Sequence, residues 1–239
     1  LGFYHLAYQV VTIPVLKINP ILTRVAFPLF SKNQHDHNSL KEGFLHMSKL
    51  LALVSFPLLL GVIAVADVFI VTVFGKQWLP ATEILQIMAI VGLLRVLMNP
   101  NGSVLLAKGK ANLSFYWDTG VLLLYGLGLW VAVQSQNLEA VTWTYVIVSL
   151  VNFFIGRWLL AWLIKLSLKD YLQALSKPFI LSITMMVGAF WIKEISARYL
   201  TDEAFWLMVL SVGGGAVVYL GLVSLAYPLL VKKGLRKLA

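Results

Sequence analysis

The chain has 239 residues, of which 60% are hydrophobic and 12% charged, with a mean hydropathy of +0.85. Soluble domains carry about 25% charged residues, so the composition excludes one and describes a polytopic membrane protein. The net charge of +9 does not point to nucleic acid, because the basic residues sit in short joints between apolar spans rather than along one polar face.

The chain has no cysteine, which excludes a disulfide framework, thiolate metal sites and cysteine nucleophiles. Neither an initiator methionine nor a signal peptide precedes the first span, so the chain is expected to begin inside a longer protein.

Seven apolar spans follow in order: Phe3–Phe30, Phe44–Val73, Ala81–Ala107, Leu113–Val133, Leu138–Ile164, Pro178–Ile195 and Phe205–Leu230. The expected fold is an all-α bundle of about seven transmembrane helices. The sixth span, Pro178–Ile195, is near the shortest length that crosses a bilayer.

The first span predicts a helix of about 40 Å, longer than a hydrocarbon core of about 30 Å. Lys17 lies near its centre, about 20 Å from either end and beyond the reach of snorkelling. Arg24 follows two turns later on nearly the same face. Pro14, Pro20 and Pro28 lie close to that cationic stripe, and each removes a backbone donor and invites a bend. A stripe of this kind is expected to line a water-filled path for an anion. The alternative is that Arg24 snorkels while Lys17 pairs with a carboxylate.

The third span repeats the pattern, with Arg95 near its midpoint followed by Asn99 and Pro100. Further candidates are Arg157, about two turns from Lys165 and almost within reach of an interface, and the carboxylates Asp67 and Asp118. Either carboxylate balances a cation, carries a coupling proton or sits solvated at an interface. Pro57 should bend the second span, Gly213–Gly215 should loosen the seventh, and the Ser211/Gly215 spacing suggests a close helix contact.

Lys and Arg divide 11 against 3 between alternate joints. The rich set holds Lys32, Lys41, Lys108, Lys110, Lys165, Lys169, Lys177, Lys232, Lys233, Arg236 and Lys237; the poor set holds Lys76, Lys193 and Arg198. The rich side is expected to be cytoplasmic, with the C-terminal tail inside. Trp78, Trp130, Trp143, Trp191 and Trp206 near outer ends, and Trp117, Trp162 and Tyr227 near inner ends, read as interfacial anchors. The longest polar joint is Ser31–Gly43, whose His35, Asp36 and His37 lack the further ligands a metal site needs. No P-loop, H-E-x-x-H or G-x-S-x-G motif occurs, the carboxylates are scattered, and neither an enzyme nor a cofactor is expected.

The runs LGFYHLAYQ (Leu1–Gln9), KINPILTRVAFPLFSKNQ (Lys17–Gln34), FPLLLGVIAVA (Phe56–Ala66), FGKQW (Phe74–Trp78) and LLRVLMNPNGSVLLAKGK (Leu93–Lys110) resemble one family. It is the Wzx-type polysaccharide flippases, colanic acid exporter-like, of the multidrug/oligosaccharidyl-lipid/polysaccharide export superfamily. The resemblance implies two six-helix bundles around a central cavity, often with extra C-terminal helices. On that frame residues 1–164 supply five helices of the second bundle, and 165–239 add two more helices and a cytoplasmic tail. The N-terminal half is then missing from this chain.

The implied activity is flipping of an undecaprenyl-diphosphate-linked oligosaccharide across a bacterial inner membrane by alternating access, for exopolysaccharide or lipopolysaccharide biosynthesis. Lys17, Arg24, Arg95 and Asn99 would line the cavity and meet the diphosphate, with Arg157, Asp67 and Asp118 as further candidates. Membrane lipid and the missing half would be the remaining partners. A multidrug antiporter of the same superfamily would favour carboxylates over central cations. A membrane glycan polymerase or ligase would need a large outer loop with catalytic residues, and a noncatalytic scaffold leaves Lys17 and Arg95 unexplained.

Overall fold

The computed structural model describes residues 2–32 and 36–228. Within the first helix the side chains of residues 14–26 and 29 lie outside the described set. The expected positions Lys17, Arg24, Pro14 and Pro20 therefore fall on described backbone only, and the tail from 229 onward lies outside it.

Eight helices make up the described chain, which contains no strand. They are α1 (Gly2–Lys32), α2 (His37–Phe74), α3 (Ala81–Met98), α4 (Pro100–Ala107), α5 (Ala111–Gln134), α6 (Leu138–Ile164), α7 (Leu168–Tyr199) and α8 (Ala204–Ala226). Among the described residues six helical units, with α3 and α4 taken as one, are long and apolar enough to cross a membrane. The remaining expected span, Phe3–Phe30, coincides with α1.

Short joints force successive spans to run antiparallel, so Lys41, Lys108, Lys110, Lys165 and Lys169 gather at one end of the bundle. Trp78, Gln136 and Tyr199 lie at the other. α2 and α7, with 38 and 32 residues, are about 57 Å and 48 Å long and outreach the bilayer core.

Two expectations about joints are corrected. Much of the polar run Ser31–Gly43 is helical: α1 continues to Lys32 and α2 already begins at His37, while residues 33–35 lie outside the described set. Asp36 caps α2 by accepting from the Asn38 amide at 2.9 Å and the Ser39 hydroxyl at 2.6 Å. The Ser39 hydroxyl holds this carboxyl below the usual carboxylate range. The short span Pro178–Ile195 is the middle of the longer α7, capped by the Ser167 hydroxyl, which accepts from the Asp170 amide. The run that hydropathy assigned to a joint is amphipathic helix here.

α2 is the trunk of the bundle, in contact with α1, α3, α4, α6, α7 and α8. One hydrophobic core runs from Leu6 and Val11 of α1 through Phe44, Leu51 and Leu59 of α2 to Leu160 of α6 and Tyr171 of α7. Ser211 and Gly215 of α8 are the close contact their spacing suggested: Ser211 is buried, and a Cβ on Gly215 would sit 3.1 Å from Ala189 Cβ of α7. An apolar groove of about 500 Å³ opens between α2, α7 and α8, lined by Pro57, Gly61, Met185, Ala189, Gly215 and Tyr219. α5 is the outlier, packing on α6 and α4 and burying only Ala132.

Candidate functional site

Arg95 emerges half-buried from the last turn of α3, near the middle of the combined α3–α4 span, on the side where α1 and α6 approach. The approach of α1 depends on Gly92, one turn earlier. A Cβ there would lie 2.6 Å from Val11 Cγ1, well inside carbon–carbon contact distance. With α1 this close, Arg95 Nη1 donates to the Tyr8 hydroxyl at 3.5 Å, and the guanidinium carbon stands 5.5 Å from the Tyr8 ring centroid and 6.0 Å from that of Tyr145.

The two rings are part of a line of four tyrosines. Tyr4 stacks on Tyr8 at 6.3 Å, meets Tyr145 of α6 at 6.0 Å, and Tyr145 meets Tyr125 of α5 at 5.2 Å. Tyr125 shares a 2.8 Å hydrogen bond with Ser149. All four are half-buried. The Tyr8 and Tyr145 faces attract the cation electrostatically, whereas the Tyr4 hydroxyl is buried. Among the described residues, Arg95 has no carboxylate within ion-pair distance.

Asn99 lies one turn beyond Arg95, at the break between α3 and α4. Pro100 supplies no N–H and opens α4 at its first position, as the sequence predicts. Asn99 makes a tightened turn by donating its amide to Val96 O at 3.2 Å. Arg95 and Asn99 thus share a face of one interrupted span, and Lys17 and Arg24 fall on the helix packed along it.

The other three candidates are elsewhere. Arg157 neither snorkels nor lines an open path: it is 4% exposed and enclosed by the rings of Tyr171, Phe44 and Phe153 at 4.2, 5.3 and 5.3 Å, with Nη2 donating to Asn101 Oδ1. Asp67 balances a cation, but that cation is Lys193, whose Nζ lies 2.9 and 3.0 Å from its carboxylate oxygens. Lys193 was expected in an outer joint; it is 8% exposed inside α7. Asp118 is exposed on α5 and pairs locally with Ser114 at 3.5 Å, away from Arg95. Trp117, expected as an anchor, donates to Asn152 Oδ1 of α6 at 2.8 Å. No group of three or more metal-ligating side chains forms among the described residues.

The tyrosine line escaped sequence reasoning, although Tyr4 and Tyr8 at four-residue spacing signal one helical face. Tyr125 and Tyr145 join them only through the packing of α5 and α6.

Residues 1–83 match the family described as polysaccharide biosynthesis protein. The chain is 58% identical over 237 residues to the teichuronic acid biosynthesis protein TuaB of Bacillus subtilis, covering 99% of this chain and 49% of TuaB. It is 33% identical over 190 residues to the lipopolysaccharide biosynthesis protein WzxC of Escherichia coli, covering 79% of this chain and 39% of WzxC. The fold matches that of the lipid II flippase MurJ in an inward closed conformation, with a TM-score of 0.70 and 18% identity, over 94% of this chain and 47% of MurJ. The chain spans about half the length of these relatives, aligned with their C-terminal half.

Proposed function

We propose, for a chain that belongs to the polysaccharide biosynthesis family and is homologous to Wzx-type flippases, that it forms one wall of a transporter for lipid-linked oligosaccharides. The substrate is an undecaprenyl-diphosphate-linked glycan moved from the cytoplasmic to the periplasmic leaflet of a bacterial inner membrane. The lysine-rich end is cytoplasmic on this reading, and the other wall comes from an N-terminal half of the same protein.

The observation that carries the proposal is Arg95: a guanidinium in mid-span, half-buried, held by tyrosines and without an ion-pair partner among the described residues. A cation at that depth costs about 3 kcal/mol or more unless water or an anion meets it. A diphosphate meets it well, since its oxygens accept two parallel N–H bonds from the planar fork. Tyr8 and Tyr145 then present ring faces and hydroxyls to sugar. Asn99 offers an amide on the same face, and Lys17 and Arg24 add charge from α1. The polyprenyl tail needs only apolar surface, which the groove between α2, α7 and α8 supplies. Bent or broken spans such as α3–α4 provide the movable elements of alternating access.

The test is export in a flippase-deficient cell carrying the full-length protein, with membrane abundance measured in parallel. Arg95→Ala and Lys17→Ala should abolish export at normal abundance, and Arg95→Lys should restore it only in part, because an ammonium lacks the planar fork. Wild-type export by both alanine variants would end the proposal.

A further inference from the structure

The break between α3 and α4 is gripped from the side by two other helices. Arg157 of α6 donates to Asn101 Oδ1, two residues past the break, and Tyr171 of α7 donates its hydroxyl to Leu97 O, two residues before it, at 3.3 Å. The two gripping side chains touch each other, with the guanidinium carbon 4.2 Å from the centre of the Tyr171 ring. Gly156, beside Arg157, brings α6 close: a Cβ there would fall 2.8 Å from Met98 Cε, 2.9 Å from Asn101 Nδ2 and 2.9 Å from Trp117.

This grip is built with care for position rather than for apolar packing. Tyr171 is fully buried and Arg157 nearly so. Arg157 Nε and Nη1 have no hydrogen-bond partner among the described residues and face the aromatic rings instead. Replacing a buried ionic group by a well-packed apolar side chain often costs no stability, so a buried guanidinium here fits a role in geometric specificity. Tyr171 is itself fixed: the Ser167 cap and the Lys41–Asp170 ion pair tie the start of α7 to the start of α2.

We propose that Arg157 and Tyr171 are positioning residues that clasp the α3–α4 break, so that the course of this span across the break, and with it the placement of Arg95 one turn before Asn99, is set by α6 and α7. Opening the clasp frees α4 to swing about Asn99–Pro100. α7 is then a working part of the protein that restrains this hinge. The clasp stands whether or not Arg95 binds a diphosphate.

The experiment is amide hydrogen exchange on the full-length protein in lipid nanodiscs, wild type against Tyr171→Phe, Arg157→Lys and Arg157→Ala. Tyr171→Phe keeps the ring and the core volume and removes only the hydroxyl. It should speed exchange over residues 96–104 about fivefold to tenfold, the scale of one buried hydrogen bond, while α8 and the far half of α2 stay at wild-type rates. Arg157→Ala should do the same, Arg157→Lys should fall between, and the Tyr171→Phe/Arg157→Ala pair should add little to the larger single effect, since both act on one clasp. Unchanged exchange over 96–104 in Tyr171→Phe, or a uniform rise through α2, α6 and α8, would overturn the proposal. Arg95→Ala, which tests the transport reading, should leave this exchange unaltered, so the two proposals fail separately.

Discussion

Replacing Gly92 with alanine should push α1 away from α3 and weaken both the fold and the site. An ideal Cβ at Gly92 lies 2.6 Å from Val11 Cγ1 and 3.2 and 3.3 Å from the two Leu59 methyls. Carbon pairs rest at about 3.5–4.0 Å, so Val11 must retreat by about 1 Å. It cannot rotate out of the way, because a β-branched side chain in a helix has one favoured rotamer, and Val11 and Leu59 are both buried. Overpacking of this kind costs about 1–3 kcal/mol, and alanine returns about 1 kcal/mol of helix preference over glycine. A net loss of up to about 2 kcal/mol follows, with a lower melting temperature for the purified full-length protein. Since Tyr8 lies one turn before Val11 and Arg95 one turn after Gly92, the same shift takes the 3.5 Å Arg95–Tyr8 contact out of hydrogen-bond range, and export should fall. Gly102→Ala is the control, because nothing lies within 4 Å of its Cβ position; it should not melt lower. Val11→Ala combined with Gly92→Ala should recover much of the loss. A Gly92→Ala protein that melts at or above wild type would refute the reasoning.

Asp67→Asn and Lys193→Met should each lower the melting temperature, and the double variant should recover part of the loss. A coupling of about 1–2 kcal/mol is expected, less than for a fully enclosed pair because the Asp67 side chain is 45% exposed; additive losses would show that the two charges do not support each other. For topology, single cysteines at Asn38 and Lys108 of the full-length protein should be shielded from an impermeant thiol reagent in intact cells, and cysteines at Gln77 and Gln136 should react. Labelling of the first pair from outside would reverse the proposed orientation.

Hydropathy makes the spans legible because membrane crossing demands about 20 apolar residues in a row, and the interruption at Asn99–Pro100 is legible because proline lacks a donor. Depth can be read in the same way, but the direction a side chain faces cannot. Arg157 was judged by its axial distance to Lys165, whereas its fate is decided by Phe44 and Tyr171, which belong to other helices. Lys193, two residues inside the end of the Pro178–Ile195 window, was counted with the basic residues of an outer joint; α7 runs on to Tyr199, so that lysine lies within the helix, where it meets Asp67. The tyrosines around Arg95 carry a partial signal, since Tyr4 and Tyr8 share a face, but only the fold brings Tyr145 beside them.

The Asp67–Lys193 pair also bears on how the chain enters the bilayer. A lysine in the apolar part of a helix makes that helix a poor substrate for lateral release into lipid, at about 3 kcal/mol on insertion scales. α7 is the last helix but one among the described residues, and its counter-charge is carried by α2, 126 residues earlier. By the time α7 leaves the ribosome, α2 and its carboxylate have already been made and can wait at the membrane. Synthesis order thus turns a costly residue into an address: α7 settles where Asp67 is already present, against α2, and α8 is guided into place beside it.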